Sequence, residues 1–255
     1  MIEIRGLTKR YGDKLALDGL DLDLPPGEVF AFLGPNGAGK TTTLKILAGL
    51  VRPTSGTARI GGHDIVSDGL AARTLLSYVP DEPYLYEKLT GREFLRMVGD
   101  LYGMPRGRVA DRIEQLADKF EIREFMDDLC ESYSHGMKQR VVIAAALLHE
   151  PRALVIDEPT VGLDPKSTRT LKDMLRDLAH TRGVTVLMST HTLPYAEEVA
   201  DRIGILSVGK LVALGTLEEL HALQRTRSGP GHQRLEDLFL DLTGGNNGDG
   251  KAPAR

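Results

Sequence analysis

The chain has 255 residues, 41% of them hydrophobic, and a formal net charge of −4, so it holds enough apolar material to build one large core or two small ones. That balance offers no broad basic field, so no nucleic-acid partner is expected, and no apolar run approaches the roughly 18 residues of a membrane span. The single cysteine, Cys130, cannot form an internal disulfide and suits a reducing compartment, and Met1-Ile2-Glu3-Ile4-Arg5 lacks the basic-then-apolar layout of a signal peptide.

The chain opens on alternation. Ile2, Ile4 and Leu7, then Leu15, Leu17, Leu20, Leu22 and Leu24, predict two half-buried strands joined by a turn at Tyr11-Gly12-Asp13, the start of an antiparallel sheet. Val29 to Leu33 is a continuous apolar run that reads as a buried strand. It leads directly into Gly34-Pro35-Asn36-Gly37-Ala38-Gly39-Lys40-Thr41, which fits G-x-x-x-x-G-K-[ST] at every fixed position, and a helix is predicted over 41–50. The chemistry of that pattern is phosphate binding. Glycines let the backbone curl so that N–H groups converge, Lys40 brings charge to the β- and γ-phosphates, the Thr41 hydroxyl can ligate Mg²⁺, and the helix N-terminus adds free donors.

Short strands are predicted at 57–60 and 75–79, punctuated by Gly61-Gly62 and Pro80. From Thr90, a helix N-cap, to about Met126 the chain becomes charged and helix-periodic through Phe94, Leu95, Val98, Leu101, Val109, Ile113, Leu116 and Phe120, with a break at Gly103-Met104-Pro105. This predicts a helical subdomain, about 90–150, inserted into an α/β core. The core resumes with apolar strands Ala153 to Ile156 and Val184 to Met188 around a helix over 165–180, a βαβ unit. The first of these strands delivers Asp157 and Glu158 at its carboxyl end, where open α/β sheets bind ligands. Alternation along the strand separates their roles: Asp157 can face Mg²⁺ at the glycine loop, and Glu158 a water placed to attack a γ-phosphate.

Residues 202–214 read as a hairpin about Gly209, and Thr216 with Glu219 as a capping box for a further helix. A loop is predicted at 226–231, then a short amphipathic helix carrying Leu235, Leu238, Phe239 and Leu242, then a disordered tail over 244–255. The predicted fold class is α/β: a P-loop NTPase core, mostly parallel sheet with flanking helices, with an N-terminal antiparallel β subdomain and an inserted α-helical subdomain.

Taken in order, these features resemble the ATP-binding subunit of ABC transporters over residues 1–223, leaving 224–243 as a C-terminal extension. Tyr11 stands where that family stacks an aromatic ring on adenine, and Tyr133-Ser134-His135-Gly136-Met137-Lys138-Gln139-Arg140 stands where it has L-S-G-G-Q followed by Gln-Arg. Asp157-Glu158 is similar to its Walker B end, Gly162-Leu163-Asp164 to its D-loop, and Thr190-His191 to its switch histidine. The resemblance implies an ATPase using ATP and Mg²⁺. It implies that Tyr11 and Gly34, Pro35, Asn36, Gly37, Ala38, Gly39, Lys40, Thr41 and Thr42 hold the nucleotide, that Thr41 and Asp157 ligate the metal, and that Glu158 and His191 are catalytic. Ser134 and Gly136 would serve ATP held by a second subunit, with Asp164 at the seam, so a closed dimer is implied and a homodimer expected. A separate membrane permease would receive the motion near Asp81 to Leu89 and the helical subdomain, with this chain at the cytoplasmic face of the membrane.

Leu85-Tyr86-Glu87-Lys88-Leu89-Thr90 and residues 235–244 resemble segments of the class paired with ABC-2 type permeases, which are mostly exporters. The alternative reading is an ABC-type ATPase driving a soluble assembly complex. Two places depart from the family pattern. Asp81 replaces a usual glutamine; its carboxylate can ligate Mg²⁺ but cannot donate a hydrogen bond, which makes it a third candidate metal ligand. His135 and Met137 replace a glycine and a glutamine, and the side chain at 135 is expected to point outward with activity retained.

Overall fold

In the computed structural model the described residues are 1–228 and 235–244. β1 (Ile2–Tyr11) and β2 (Lys14–Leu24) pair antiparallel, with Ile2 opposite Leu24 and Tyr11 opposite Lys14. Ile4 and Leu7 differ in parity, yet both are buried, because a register shift between them turns the strand over. β3 (Val29–Leu33) crosses into a second sheet and α1 (Lys40–Leu47) follows the glycine loop. β4 (Ser55–Ile60) then returns to pair with β1, and the two-residue β5 (His63–Asp64) closes a four-stranded antiparallel sheet in the order β2-β1-β4-β5.

After α2 (Gly69–Thr74) and β6 (Leu76–Val79) comes the helical stretch α3 (Gly91–Leu101), α4 (Arg106–Lys119) and α5 (His135–Leu147). Thr90 and Glu93 form a capping box at the start of α3, and Gly103, with φ +66, and Pro105 separate α3 from α4 as expected. The remaining elements are β7 (Ala153–Asp157), α6 (Pro165–Arg176), β8 (Thr185–Thr190), α7 (Leu193–Val199), β9 (Arg202–Ser207), β10 (Lys210–Gly215), α8 (Leu217–Ser228) and α9 (Leu235–Gly244). The helix expected over 165–180 keeps α geometry to Arg176 and then widens to a π turn over Asp177–Thr181. The loop expected at 226–231 begins later, since α8 continues through Ser228. The rest of that loop and the tail beyond Gly244 lie outside the described residues.

The second sheet runs β10-β9-β3-β8-β7-β6, parallel except for the β9–β10 hairpin. β3 lies inside it, which explains its unbroken apolar run: every residue is buried, and alternation sends the side chains to two cores. Phe30 and Phe32 pack with Ile2, Ile4, Leu20 and α1 residues Leu44 and Leu47 under the antiparallel sheet. Val29, Ala31 and Leu33 pack with Ile113, Val141, Leu175 and Ala196 on the helical side. Each fully buried Phe contributes roughly 1.5–3 kcal/mol. The consequence for function is rigid placement: the carboxyl ends of β3, β7 and β8 are held side by side.

Candidate active site

The glycine loop is wedged between two strands. A Cβ on Gly34 would lie 2.5 Å from the Leu206 carbonyl oxygen of β9, and one on Gly39 would lie 2.7 Å from Leu17 Cδ2 and 2.8 Å from the Ala16 carbonyl oxygen of β2. Gly39 also has φ +111, a backbone region that side chains disfavour. As the N-cap of α1 it has no side chain, so it leaves the N–H groups of the first turn without a capping oxygen. Gly37, with φ +82, faces open space. Lys40, only 6% exposed, donates from Nζ to the Gly34 carbonyl at 2.6 Å. Desolvation pushes its pKa down, and the charges of Glu158 and Asp157 oppose that shift.

Asp157 ends β7 and is fully buried. Its Oδ1 accepts from Thr41 Oγ1 at 3.2 Å and from Ser189 Oγ, the residue opposite it in the parallel register of β7 and β8. Its Oδ2 is buried with no hydrogen-bond partner among the described residues. Burial raises the carboxyl's pKa; the Ser189 and Thr41 hydrogen bonds lower it, and the charges of Asp81 and Glu158 raise it further. Glu158 parts from Asp157 by a turn, not by the strand alternation the sequence suggests. It stands beyond the strand at φ +46, a conformation that costs a non-glycine residue roughly 1–3 kcal/mol. Its N–H donates to Ser189 Oγ at 3.0 Å, Oε1 lies 3.7 Å from Lys40 Nζ, and Oε2 accepts from His191 Nδ1 at 2.8 Å. Because a carboxylate only accepts, that contact puts the proton on Nδ1.

Lys40, Thr41, Asp157, Glu158 and His191 are thus brought together at one sheet edge. The Thr41 hydroxyl and the orphaned Asp157 Oδ2 are hard oxygen donors side by side, and they fit a small divalent cation. Asp81 lies in the loop after β6 and acts at a distance: its charge raises the pKa of both Asp157 and Tyr78, but no hydrogen bond joins it to Thr41 or Asp157 among the described residues. Ser189 is a member of this cluster that the sequence reading missed. Only the pairing of Asp157 with Ser189 reveals it, although its place just before Thr190-His191 was a usable signal.

Other candidates stand apart. Tyr11 is half exposed at the β1–β2 hairpin, with Lys9 Nζ 4.8 Å from its ring centre. Ser134 caps α5, accepting from the Met137 N–H at 3.3 Å, and Gly136 follows in the first turn. Asp164 caps α6: it accepts from the Ser167 hydroxyl at 2.6 Å and from the N–H groups of Ser167 at 3.0 Å and Lys166 at 2.9 Å, and these bonds, the hydroxyl's first, hold its pKa down. No hydrogen bond or ion pair ties Ser134 or Asp164 to the Lys40 cluster among the described residues. His135 is exposed as expected, but its ring folds onto the 161–164 turn, with Nε2 3.2 Å from the Val161 carbonyl oxygen.

A strand, a glycine loop, a buried lysine on the following helix and an acid on a nearby parallel strand define a P-loop nucleoside triphosphatase. The sequence profile of the ABC transporter family matches residues 17–161. The chain is 44% identical over 219 residues to the daunorubicin/doxorubicin resistance ATP-binding protein DrrA of Streptomyces peucetius, covering 86% of this chain and 66% of that protein's length. A solved structure titled as the ATP-binding subunit of an ABC transporter is similar at TM-score 0.86 and 33% identity, covering 95% of this chain and 99% of that one. A dimeric ATP-binding cassette in a post-hydrolysis state, bound to ADP and Pi, is similar at TM-score 0.78 and 27% identity, covering 85% of this chain and 99% of that one. The chain belongs to the ABC transporter family, as an ATP-binding ATPase domain.

Proposed function

We propose that this chain is the ATP-hydrolysing subunit of an ABC exporter, working as a homodimer against a separate membrane permease at the cytoplasmic face of the membrane. The observation that carries the reading is the division of the site. Hydrogen bonds and ion pairs join Lys40, Thr41, Asp157, Glu158 and His191, whereas none ties Ser134 or Asp164 to them among the described residues. Two copies placed face to face would bring each Ser134 to the other's glycine loop, where its hydroxyl and the α5 N-terminus can hold a γ-phosphate. Gly136 would let the nucleotide approach closely, and Asp164 would lie at the seam.

In this reading residues 34–42 wrap the phosphates and Tyr11 stacks on the base. Thr41, Asp157 and Asp81 would hold Mg²⁺, which supplies charge neutralisation on the triphosphate when bound. Glu158 accepts the proton of the attacking water, and His191, whose Nδ1–H is held by Glu158, donates to the γ-phosphate from Nε2 when the ring carries its second proton. Closure comes from ATP binding and reopening from loss of the γ-phosphate contacts. Residues 1–223 form the ATP-binding unit with its helical subdomain at 90–150, and 224–243 form the extension. No helix among the described residues is long and apolar enough to cross a membrane. Tyr84 and Tyr86 are exposed beside Phe94, an aromatic surface suited to the permease. Export is favoured by the likeness to a drug-resistance ATP-binding protein. The test is capture of the tagged chain from detergent-solubilised membranes. Recovery of a polytopic membrane protein is expected, and recovery of soluble partners alone would replace this reading with the assembly-complex one.

A further inference from the structure

Where the family pattern has a glycine, this chain places a histidine, and the structure shows what that ring touches. His135 Nε2 lies 3.2 Å from the Val161 carbonyl oxygen. A carbonyl can only accept, so Nε2 carries the proton. The ring also occupies the space beside Gly162: a Cβ there would be 2.3 Å from His135 Cδ2 and 2.7 Å from Nε2. Gly162 has φ +74, so glycine is required here both for the turn and for the space the imidazole fills. The turn continues inward, since the Val161 N–H donates to the Glu158 carbonyl at 3.2 Å. One short chain of hydrogen bonds therefore joins the first residue of α5, next to Ser134, to the backbone of Glu158.

We propose that His135 is a positioning residue, a latch that sets the Ser134 end of α5 against the 161–164 turn so that the groups serving the partner's ATP move as one body with Glu158 of this chain's own site. The inference rests on the dimeric reading above. In that dimer Ser134 and Asp164 face the opposite subunit, and their separation must suit a bound γ-phosphate. A glycine at 135 leaves that separation to the backbone alone. The imidazole adds one hydrogen bond and a ring contact across it. Both partners are on the surface, Val161 being 43% exposed, so the latch can be removed without opening a core.

The test uses the purified full chain and three variants. His135→Leu keeps bulk without a donor; His135→Gln places an amide N–H the same number of bonds from Cα as Nε2; Gly162→Ala evicts the ring. Losing one neutral hydrogen bond is worth about 1 kcal/mol, so His135→Leu and Gly162→Ala should lower kcat about fivefold or more. ATP affinity of the isolated subunit should stay within about twofold, because that ATP is held by residues 34–42, and His135→Gln should recover most of kcat. Wild-type kcat in His135→Leu, failure of His135→Gln to recover it, or a matching loss of ATP affinity in the single subunit would each overturn the latch. The dimeric reading is read separately from the wild-type chain: a rate per subunit that does not rise with protein concentration rejects the dimer, whatever the variants do.

Discussion

Replacing Glu158 by glutamine changes one atom's chemistry and almost none of the shape. The carboxylate now sits between two cations or donors, with Oε1 3.7 Å from Lys40 Nζ and Oε2 2.8 Å from His191 Nδ1. Glutamine keeps an acceptor for His191 but loses the negative charge and the ability to take a proton from water. General-base assistance is worth about 10²–10⁴ in rate, which at ~1.4 kcal/mol per decade is about 3–5 kcal/mol of barrier. Stability should move by no more than about 1 kcal/mol, because one hydrogen bond is retained and the backbone turn at residue 158 is unchanged. Phosphate release from Mg-ATP should therefore fall at least a hundredfold while ATP binding persists, and size-exclusion chromatography with ATP should show dimer accumulating. Phosphate release within tenfold of wild type would refute the assignment of Glu158 as base.

The other expectations test separate parts of the site and fold. Asp81→Ala should weaken Mg-dependent hydrolysis by more than about tenfold if Asp81 takes over a metal contact, and near-normal turnover would remove it from the metal set. Gly39→Ala should destabilise the fold by roughly 1–3 kcal/mol from the backbone alone, plus the 2.8 Å approach to the Ala16 carbonyl; a urea-denaturation loss under about 0.5 kcal/mol would contradict the wedged loop. His149 carries a pH prediction. Its ring stacks on Tyr102 at 3.6 Å, and burial pushes its pKa down to about 4 against a hydrogen bond to the Leu76 backbone that raises it. The folded state then binds fewer protons than the unfolded one between pH 6.5 and 4, so stability is full above that window and falls as pH drops through it. Between pH 7 and pH 5 the loss is about 2 kcal/mol. His149→Phe, which keeps the stack, should lack that part of the pH dependence in denaturation curves, and equal slopes for both proteins would reject it.

Much of the site was legible because its chemistry demands particular residues at particular spacings. Gly34, Gly37, Gly39, Lys40 and Thr41 could be read as a phosphate loop before any fold was known, since only glycine permits that backbone and only a cation and a hydroxyl supply those contacts. β1, β2 and β3 were legible from their apolar patterns, one side buried in the first two and both in the third. β5, α2 and α7 were not, because segments of two to seven residues are too short to show a period.

The amino-acid sequence alone thus determined the class of chemistry and the order of the elements, through local rules of turn, period and charge. Distances between segments far apart in the chain belonged to the tertiary structure. Strand register puts Ser189 against Asp157, a left-handed turn aims Glu158 at Lys40 and His191, and the packing of α5 beside the 161–164 turn lays His135 on Gly162. None of these contacts has a local signature, because each depends on two segments whose meeting is decided by which faces the whole core buries.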